Sequence, residues 1–395
     1  MEISIVAADA TDLAVSGNRI LSNAAGNQIA NGLVLDAGSL NQITTSTTGA
    51  NLSAADNGNN DLDLGVASAG AFILNSQRNE ALDPGSSTAP VEAGPTVVAY
   101  LGNEIEPNSI TVNVGDGVAL GDFTNGSLEV LGNALVATAR ANDASNQLAI
   151  GVTSGGADGG ILNSQINSGA VGAVNGFSSI TSNLLGDAND TVSVSMEGNQ
   201  IGSSAIGSNA NNALSTAASA SFAGTAASGG TVASVGSSAG NVLNNGDIDA
   251  NGNLALLNSQ VSYAPEGSDG IAAATVESSI ALNAGGDTVD GSYSLSGNAI
   301  TANAGANTAS NSIAASSGTG GLPSATLVSV QKSTGVTVGA VVGGNSIAGT
   351  IGGTGALLGG SASISGNGIG ATATINSGTN TIGSAGQSYT RTASF

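Results

Sequence analysis

One sequence frame, a Gly-Asn pair followed by spaced asparagines, recurs five times in the 395-residue chain. Its loose consensus is Φ-x-Φ-x-G-N-x-Φ-x-x-x-A-x-x-N-x-x-x-N-x-Φ, where Φ is apolar, and one copy reads "LEVLGNALVATARANDASNQL". Internal repeats of this kind predict that one structural unit stacks on the next. The three Asn columns are Asn18, Asn133, Asn199, Asn298 and Asn367; Asn27, Asn142, Asn307 and Asn376, with Ser208 in the third copy; and Asn31, Asn146, Asn212, Asn311 and Asn380.

Two further motifs recur between the Gly-Asn units. The first reads "ILNSQ" at 73–77 and 161–165, "LLNSQ" at 256–260 and "LVSVQ" at 327–331. The second reads "GNEI" at 102–105, "SSI" at 178–180 and 278–280, and "GNSI" at 344–347. The motif order is therefore Gly-Asn, LNSQ, SSI and then Gly-Asn again.

The spacing of the Gly-Asn pairs indicates an internal duplication. The pairs begin at 17, 132, 198, 297 and 366, so successive spacings are 115, 66, 99 and 69 residues. The short spacings divide into three units of about 22 residues, and the long ones fit three such units plus insertions. We expect one elongated domain over 1–395, with copies at 17–197 and 198–365 and a partial copy at 366–388.

Within a unit the apolar residues alternate, as Leu128 and Val130 do before the corner and Leu135, Ala137 and Ala139 do after it. This period of two predicts strands, and Gly-Asn punctuation predicts turns. The expected fold is all-β: a parallel β-solenoid of stacked strand–turn–strand rungs of about 20–22 residues, with looped insertions. About 18 such rungs at the usual strand spacing would form a rod on the order of 85 Å long.

The asparagines admit two interpretations. An inward Asn can bond backbone groups that a corner leaves unpaired, and can bond the same Asn one rung away in an amide ladder. Alternatively, Asn supplies only a conformation that turns accept. Neither role is catalytic.

The G-N-x-Φ-x-x-x-A frame resembles curlin repeats, the units of bacterial curli-type functional amyloid. The Gly, the following Asn and a small or aliphatic residue two positions later carry the resemblance, and Gln77, Gln165, Gln260 and Gln331 correspond to the Gln column of that family. The chain departs from curlin in its length, in its insertions and in the expected lack of Gln ladders in most rungs. The resemblance implies a secreted, self-associating β-solenoid.

Charge and composition exclude several function classes. The chain has 5 Lys and Arg against 27 Asp and Glu, a net charge of −22, so we expect no binding to nucleic acid and no membrane insertion. It contains no His and no Cys, and its few cations share no column, so we expect no enzyme. The start has no signal-peptide pattern, which leaves the secretion route open.

One stretch carries metal-ligand chemistry. Asp247, Asp249 and Asn251, followed by Gly252, match the first half of a calcium loop, in which alternate oxygens face one Ca²⁺ ion. The twelfth position is Asn258 and not the usual Glu. The alternative is an acidic, solvated loop, and otherwise we expect no cofactor.

The ends of a solenoid expose strand edges that must be capped or used. We expect segments 1–9 and 388–395 to act as assembly strands, so that copies of the chain join end to end. The predicted function is an extracellular, bacterial structural subunit of a surface or biofilm-matrix filament, which acts in scaffolding or attachment and contacts itself and surface polysaccharide. The alternatives are a monomeric adhesin or phage-fibre-like stalk, and an ice-binding solenoid.

Overall fold

The computed structural model shows an all-β chain without α-helix among the residues that it describes. The strands are mostly parallel and lie in stacked sheets, an arrangement consistent with a β-solenoid. The structure describes residues 1–395 except 6–7, 10–11, 37–49, 57–61, 80–93, 103–106, 115–122, 154–157, 187, 190–191, 219, 221–247, 265–271, 287–289, 317–321, 353–358, 384–386 and 395.

The chain passes through the same sheets five times. In chain order, the first pass holds β1 (Glu2–Ile5), β2 (Ala8–Asp9), β3 (Asp12–Ser16), β4 (Arg19–Leu35), β5 (Ala50–Asp56), β6 (Leu62–Ser68) and β7 (Ala71–Asn79). The second holds β8 (Val97–Leu101), β9 (Ser109–Val114), β10 (Phe123–Thr124), β11 (Ser127–Leu131), β12 (Ala134–Ile150) and β13 (Gly159–Asn167), where β8 and β9 both pair with β14 of the next pass. The third holds β14 (Val171–Leu184), β15 (Ala188–Asn189), β16 (Ser193–Glu197), β17 (Gln200–Thr216), β18 (Ile248–Gly252) and β19 (Leu254–Tyr263). The fourth holds β20 (Ala272–Ala284), β21 (Ser292–Ser296), β22 (Ala299–Ala314) and β23 (Ser324–Thr334). The fifth holds β24 (Val338–Val342), β25 (Ser346–Ile351), β26 (Ser361–Ser365), β27 (Gly368–Gly383) and β28 (Gln387–Ser394), where β24 and β25 both pair with β20.

Four large sheets result from this path. The first sheet contains β3, β11, β16, β21 and β26; the second β4, β12, β17, β22 and β27; the third β7, β13, β19, β23 and β28; and the fourth β1, β8, β9, β14, β20, β24 and β25. A Gly with φ between +61° and +67° turns the chain from the first sheet into the second in every pass, at Gly17, Gly132, Gly198, Gly297 and Gly366. Glycine adopts this left-handed conformation without the steric cost that a Cβ brings.

The strand pairing corrects the expected rung. Asn18 bonds Asn133, which is 115 residues away, and Asn133 bonds Asn199, which is 66 residues away, so neighbouring strands are a whole three-motif block apart. The Gly-Asn, LNSQ and SSI motifs lie in different sheets of one pass, and the prediction of about 18 rungs of 20–22 residues was wrong. Identical amides can bond in a ladder only when equivalent motifs stack, and this condition selects the longer offset. Five stacked strands span about 20 Å at the usual spacing, in place of the expected 85 Å.

The described residues form two apolar cores between the sheets. One contains inward residues of the first sheet, the fourth sheet and the first half of the second sheet, such as Val130, Leu135 and Ile180. The other contains residues of the third sheet and the second half of the second sheet, such as Leu148 and Ile161. The side chains are small, and Ala alone fills many inward positions of β12, which lets the sheets approach closely.

Two insertions meet beside the third sheet. Strand β5 in the first pass pairs antiparallel with β18 in the third pass, and β6 pairs antiparallel with β5. Strand β5 contacts β13 and β19, and both of these strands are buried on both faces. In β7, by contrast, Phe72 and Leu74 are exposed on the outer face. The duplication at 17–197 and 198–365, with a partial copy at 366–388, stays a prediction.

Candidate functional site: amide ladders and open ends

The Asn of each Gly-Asn corner points inward and bonds the same corner of the next pass. The Oδ1 atom of Asn133 accepts hydrogen bonds from the backbone N–H of Asn18 at 3.0 Å and from its Nδ2 at 2.9 Å. The Nδ2 atom of Asn133 donates to Oδ1 of Asn199 at 3.0 Å and to the carbonyl of Val15 at 2.9 Å. One fully buried side chain therefore joins three consecutive passes.

The corner column is continuous and has a direction. Asn199 repeats the contacts of Asn133 toward Asn298, and Asn298 repeats them toward Asn367. In every step the amide nitrogen of the earlier pass donates to the amide oxygen of the later pass. The column therefore has an acceptor end at Asn18 and a donor end at Asn367.

The second Asn column lies at a bend within the long strands. The alternation of buried and partly exposed residues in β12 shifts by one position between Ala141 and Asn142. Asn27 donates to Asn142 at 2.9 Å, and Asn307 donates to Asn376 at 2.9 Å. In the third pass Ser208 replaces Asn and accepts from Asn142 at 3.3 Å.

The third Asn column is the most regular, and it does not lie at a corner as the sequence pattern suggested. Asn31, Asn146, Asn212, Asn311 and Asn380 sit inside the second-sheet strands, and each donates to the next at 2.8 Å. They face inward because they keep the alternation that restarts after the bend. Asn146 also donates to Oδ1 of Asn163 in the third sheet at 3.2 Å, so this column also bonds the facing sheet.

The LNSQ motif places two further ladders in the third sheet. Asn75 donates to Asn163 at 2.5 Å and Asn163 donates to Asn258 at 2.7 Å, a ladder that the sequence reasoning missed although the motif was evident. The Gln residues donate in the opposite direction, with bonds of 2.6 to 2.8 Å from Gln165 to Gln77, from Gln260 to Gln165 and from Gln331 to Gln260. The expectation that most rungs lack a Gln ladder was therefore wrong, because one Gln per pass suffices when a pass is a rung.

A sixth ladder lies in the fourth sheet and was also missed from the sequence. Asn183 donates to Asn113 at 2.8 Å, and Asn283 donates to Asn183 at 2.9 Å. All three residues follow the SSI motif or its equivalent by the same spacing, which is the signal that could have revealed them. These side chains are partly exposed, so they stabilise less than the buried columns.

The last pass leaves the apolar core open. Ile364 is 62% exposed and Ile369 is 46% exposed, although their partners one pass earlier, Leu295 and Ile300, are 1% and 0% exposed. Strands β3 and β4 at one end of the described stack, and β26 and β27 at the other, each pair with one neighbour. Among the described residues, both ends thus present unpaired strand edges, which are templates for further pairing.

The two ends also differ in charge. All 27 acidic residues precede residue 291, so the fifth pass carries none. The first pass includes exposed Glu2 and Asp12 and the exposed cation Arg19. A contact between two first-pass ends would bring like charges together, whereas a contact between unlike ends would not.

The predicted calcium ligands are only partly described. Asp249 and Asn251 lie in β18, where their backbones pair with Ser53 and Asn51 of β5, and Asp247 lies outside the described residues. In the part of the chain that the structure describes, no three acidic side chains group as metal ligands would. The calcium site stays a prediction.

Comparison with known proteins gives no relative. No protein-family model, no curated protein and no solved structure matches the chain significantly. Over the described ranges, the structure contains no helix of the length and hydropathy that a bilayer span requires. The inference of function therefore rests on the ladders and the ends.

Proposed function

We propose that the protein is a β-solenoid subunit that self-assembles into an extracellular structural filament. The filament would belong to a bacterial surface or biofilm matrix and would act in scaffolding or attachment. The exposed core of the last pass carries this proposal. Ile364, Ile369 and Ile375 are 62%, 46% and 49% exposed, although each lies in a column that is buried in the preceding pass. Such a surface on a monomer is costly in water, and a further strand layer would cover it.

The amide ladders support a mechanical role. Each buried ladder step is a hydrogen bond between passes, so pulling the passes apart breaks several of them at once. A net hydrogen bond contributes about 1 kcal/mol, and a buried group that loses its partner costs about 1–3 kcal/mol. This chemistry holds a stack together, and we propose a structural and not an enzymatic role for it.

Negative-stain electron microscopy of the purified protein tests the proposal, together with sedimentation over a range of protein concentrations. We expect unbranched fibres of uniform width above a critical concentration. Isolated particles at every concentration would contradict self-assembly and favour the monomeric adhesin or stalk. Inhibition of ice recrystallisation without fibres would favour the ice binder.

Deletion of residues 1–9 or 388–395 tests the predicted assembly strands. Each deletion should abolish fibres while the far-ultraviolet circular dichroism of the subunit remains that of a β protein. Fibres that persist in both deletions would show that these segments do not form the junction.

A further inference from the structure

We propose that copies join head to tail, with the fifth pass of one copy beneath the first pass of the next, in the register that continues the corner ladder from Asn367 to Asn18. This inference rests on the proposed function and names the surfaces that would meet. It assigns β26 and β27 as one half of the junction, and β3 and β4 as the other half.

The hydrogen-bond direction of the corner column fits this junction. Asn367 donates to the carbonyl of Leu295 at 2.7 Å, and the equivalent Asn298 uses its second N–H for the next Asn in the column. Asn18 donates to Asn133 through its backbone N–H and its Nδ2, as Asn133 does to Asn199, and the Oδ1 atom of Asn133 accepts from the pass below. Placed in register, Nδ2 of Asn367 would donate to Oδ1 of Asn18 in the second copy.

The backbone at the corner has the same complementarity. Inside the chain the N–H of Gly297 donates to the carbonyl of Ser365, and the N–H of Gly368 donates to the carbonyl of Asn298. By the same pattern Gly366 would donate to the carbonyl of Ser16, and Arg19 would donate to the carbonyl of Asn367, each in the neighbouring copy. The junction would therefore continue the parallel ladder of the second sheet.

The outward side chains are complementary in size. Three columns of the second sheet begin with a large exposed residue in the first pass, Arg19, Leu21 or Val34, and end with glycine in the fifth pass. The glycines are Gly368, Gly370 and Gly383, and a Cβ at any of them would have nothing within 4 Å. Inside the core the order is reversed, because the column of exposed Ile375 begins with Gly26.

Charge favours the same pairing. Ser127 donates to the Oδ1 atom of Asp12 at 2.6 Å, and Ser361 occupies the same column in the fifth pass. In the junction Ser361 would approach Asp12 of the next copy from the opposite side. Arg19 would lie over Gly368 with no acidic partner in the fifth pass, which makes this pair of positions sensitive to an added charge.

Disulfide trapping tests the register, since the chain has no Cys. Ser16 and Ser365 share one column at the two ends and are exposed, so the double variant S16C/S365C should form covalent oligomers under mild oxidation. The control S16C/S361C shifts the second Cys by four residues, about 13 Å along the strand, which is too far for a disulfide. Within one copy the two ends lie about 20 Å apart, so only an intermolecular bond can form.

A charge swap tests the same contact without a covalent bond. The variant G368R should raise the critical concentration roughly fivefold at low salt by repelling Arg19, and G368D should lower it. The double variant R19E/G368R should restore assembly to near the wild-type value.

The outcomes separate the two proposals. Covalent ladders from S16C/S365C alone, with rescue by R19E/G368R, would establish the head-to-tail register. Fibres that form without either effect would overturn this junction and leave the filament function standing. Dimers from S16C alone or from S365C alone would show like ends in contact and also overturn it. A wild-type chain that never assembles would refute the proposed function itself.

Discussion

Replacing one central ladder residue gives a direct measure of what the ladders contribute. The Asn199 side chain is fully buried and makes four hydrogen bonds: two as acceptor from Asn133, and two as donor to Asn298 and Val130. Asn199→Ala leaves the backbone N–H and one amide N–H of Asn133, and the carbonyl of Val130, without these partners. The Oδ1 atom of Asn298 keeps its bond from the backbone N–H of residue 199.

The magnitude follows from these three groups. Each buried polar group that loses its partner costs about 1–3 kcal/mol, and one water molecule in the vacated space can bond one of them. Two groups then remain without a partner, and we expect the free energy of unfolding to fall by about 2–6 kcal/mol. The assay is urea unfolding followed by circular dichroism, under conditions that keep the protein monomeric.

Two matched variants make the test specific. Asn18 lies at the end of the same column and is partly exposed, and its side chain donates to Asn133 alone in this column. Asn18→Ala should therefore lower the free energy of unfolding by about 0.5–1.5 kcal/mol. Asn199→Asp preserves shape, but an ionised carboxylate only accepts and would face the oxygens of Asn298 and Val130. It should destabilise more than Asn199→Ala at neutral pH. Equal losses for Asn199→Ala and Asn18→Ala would refute the reasoning that burial within the ladder sets the cost.

Three further predictions concern the corners, the insertions and the charge. A Cβ added at Gly198 meets no atom within 4 Å, but the residue has φ of +66°, so Gly198→Ala should lower the free energy of unfolding by about 1 kcal/mol through backbone strain. Gly198→Asn should lower it less, and thermal melting of both variants checks this order. Replacing 50–68 by a short linker should uncover the outer face of β13 and β19 and raise the fluorescence of a hydrophobic dye; no rise would show that β5 and β6 do not cover that face. Fibre growth should accelerate with added NaCl because a net charge of −22 opposes the approach of subunits, and light scattering that is insensitive to salt would contradict this.

The sequence predicts the local structure well because its signals are local. Alternation predicts strands, Gly-Asn predicts corners, and the structure has Gly132 in the left-handed region between β11 and β12. The column alignment of the Asn residues was also available, since Asn31 and Asn146 occupy equivalent places in two copies of one frame. These features depend on a few neighbouring residues and on a repeat that is recognisable in the amino-acid sequence.

The size of the rung could not be read in the same way. A 22-residue period and a block of three such units fit the same spacings, and the choice between them depends on which strands pair. Pairing is decided by non-local bonds such as Asn146 to Asn212, which require identical residues in register. The antiparallel pairing of β5 with β18 likewise cannot be predicted from the sequence, because the two insertions have unlike sequences and meet only after the passes have stacked.

The direction of the Asn columns bears on what kind of assembly is open to the protein. The corner column, the second-sheet column of Asn146 and the third-sheet column of Asn163 all donate toward later passes. A symmetric dimer of two fifth passes would bring the donor of Asn367 against its own copy and would run the strands antiparallel. A head-to-tail contact instead brings a donor to an acceptor, and each new copy presents the same donor end again. Such a stacked heterologous contact would not close on itself, so the polarity of a buried amide ladder favours the proposed filament over a closed dimer.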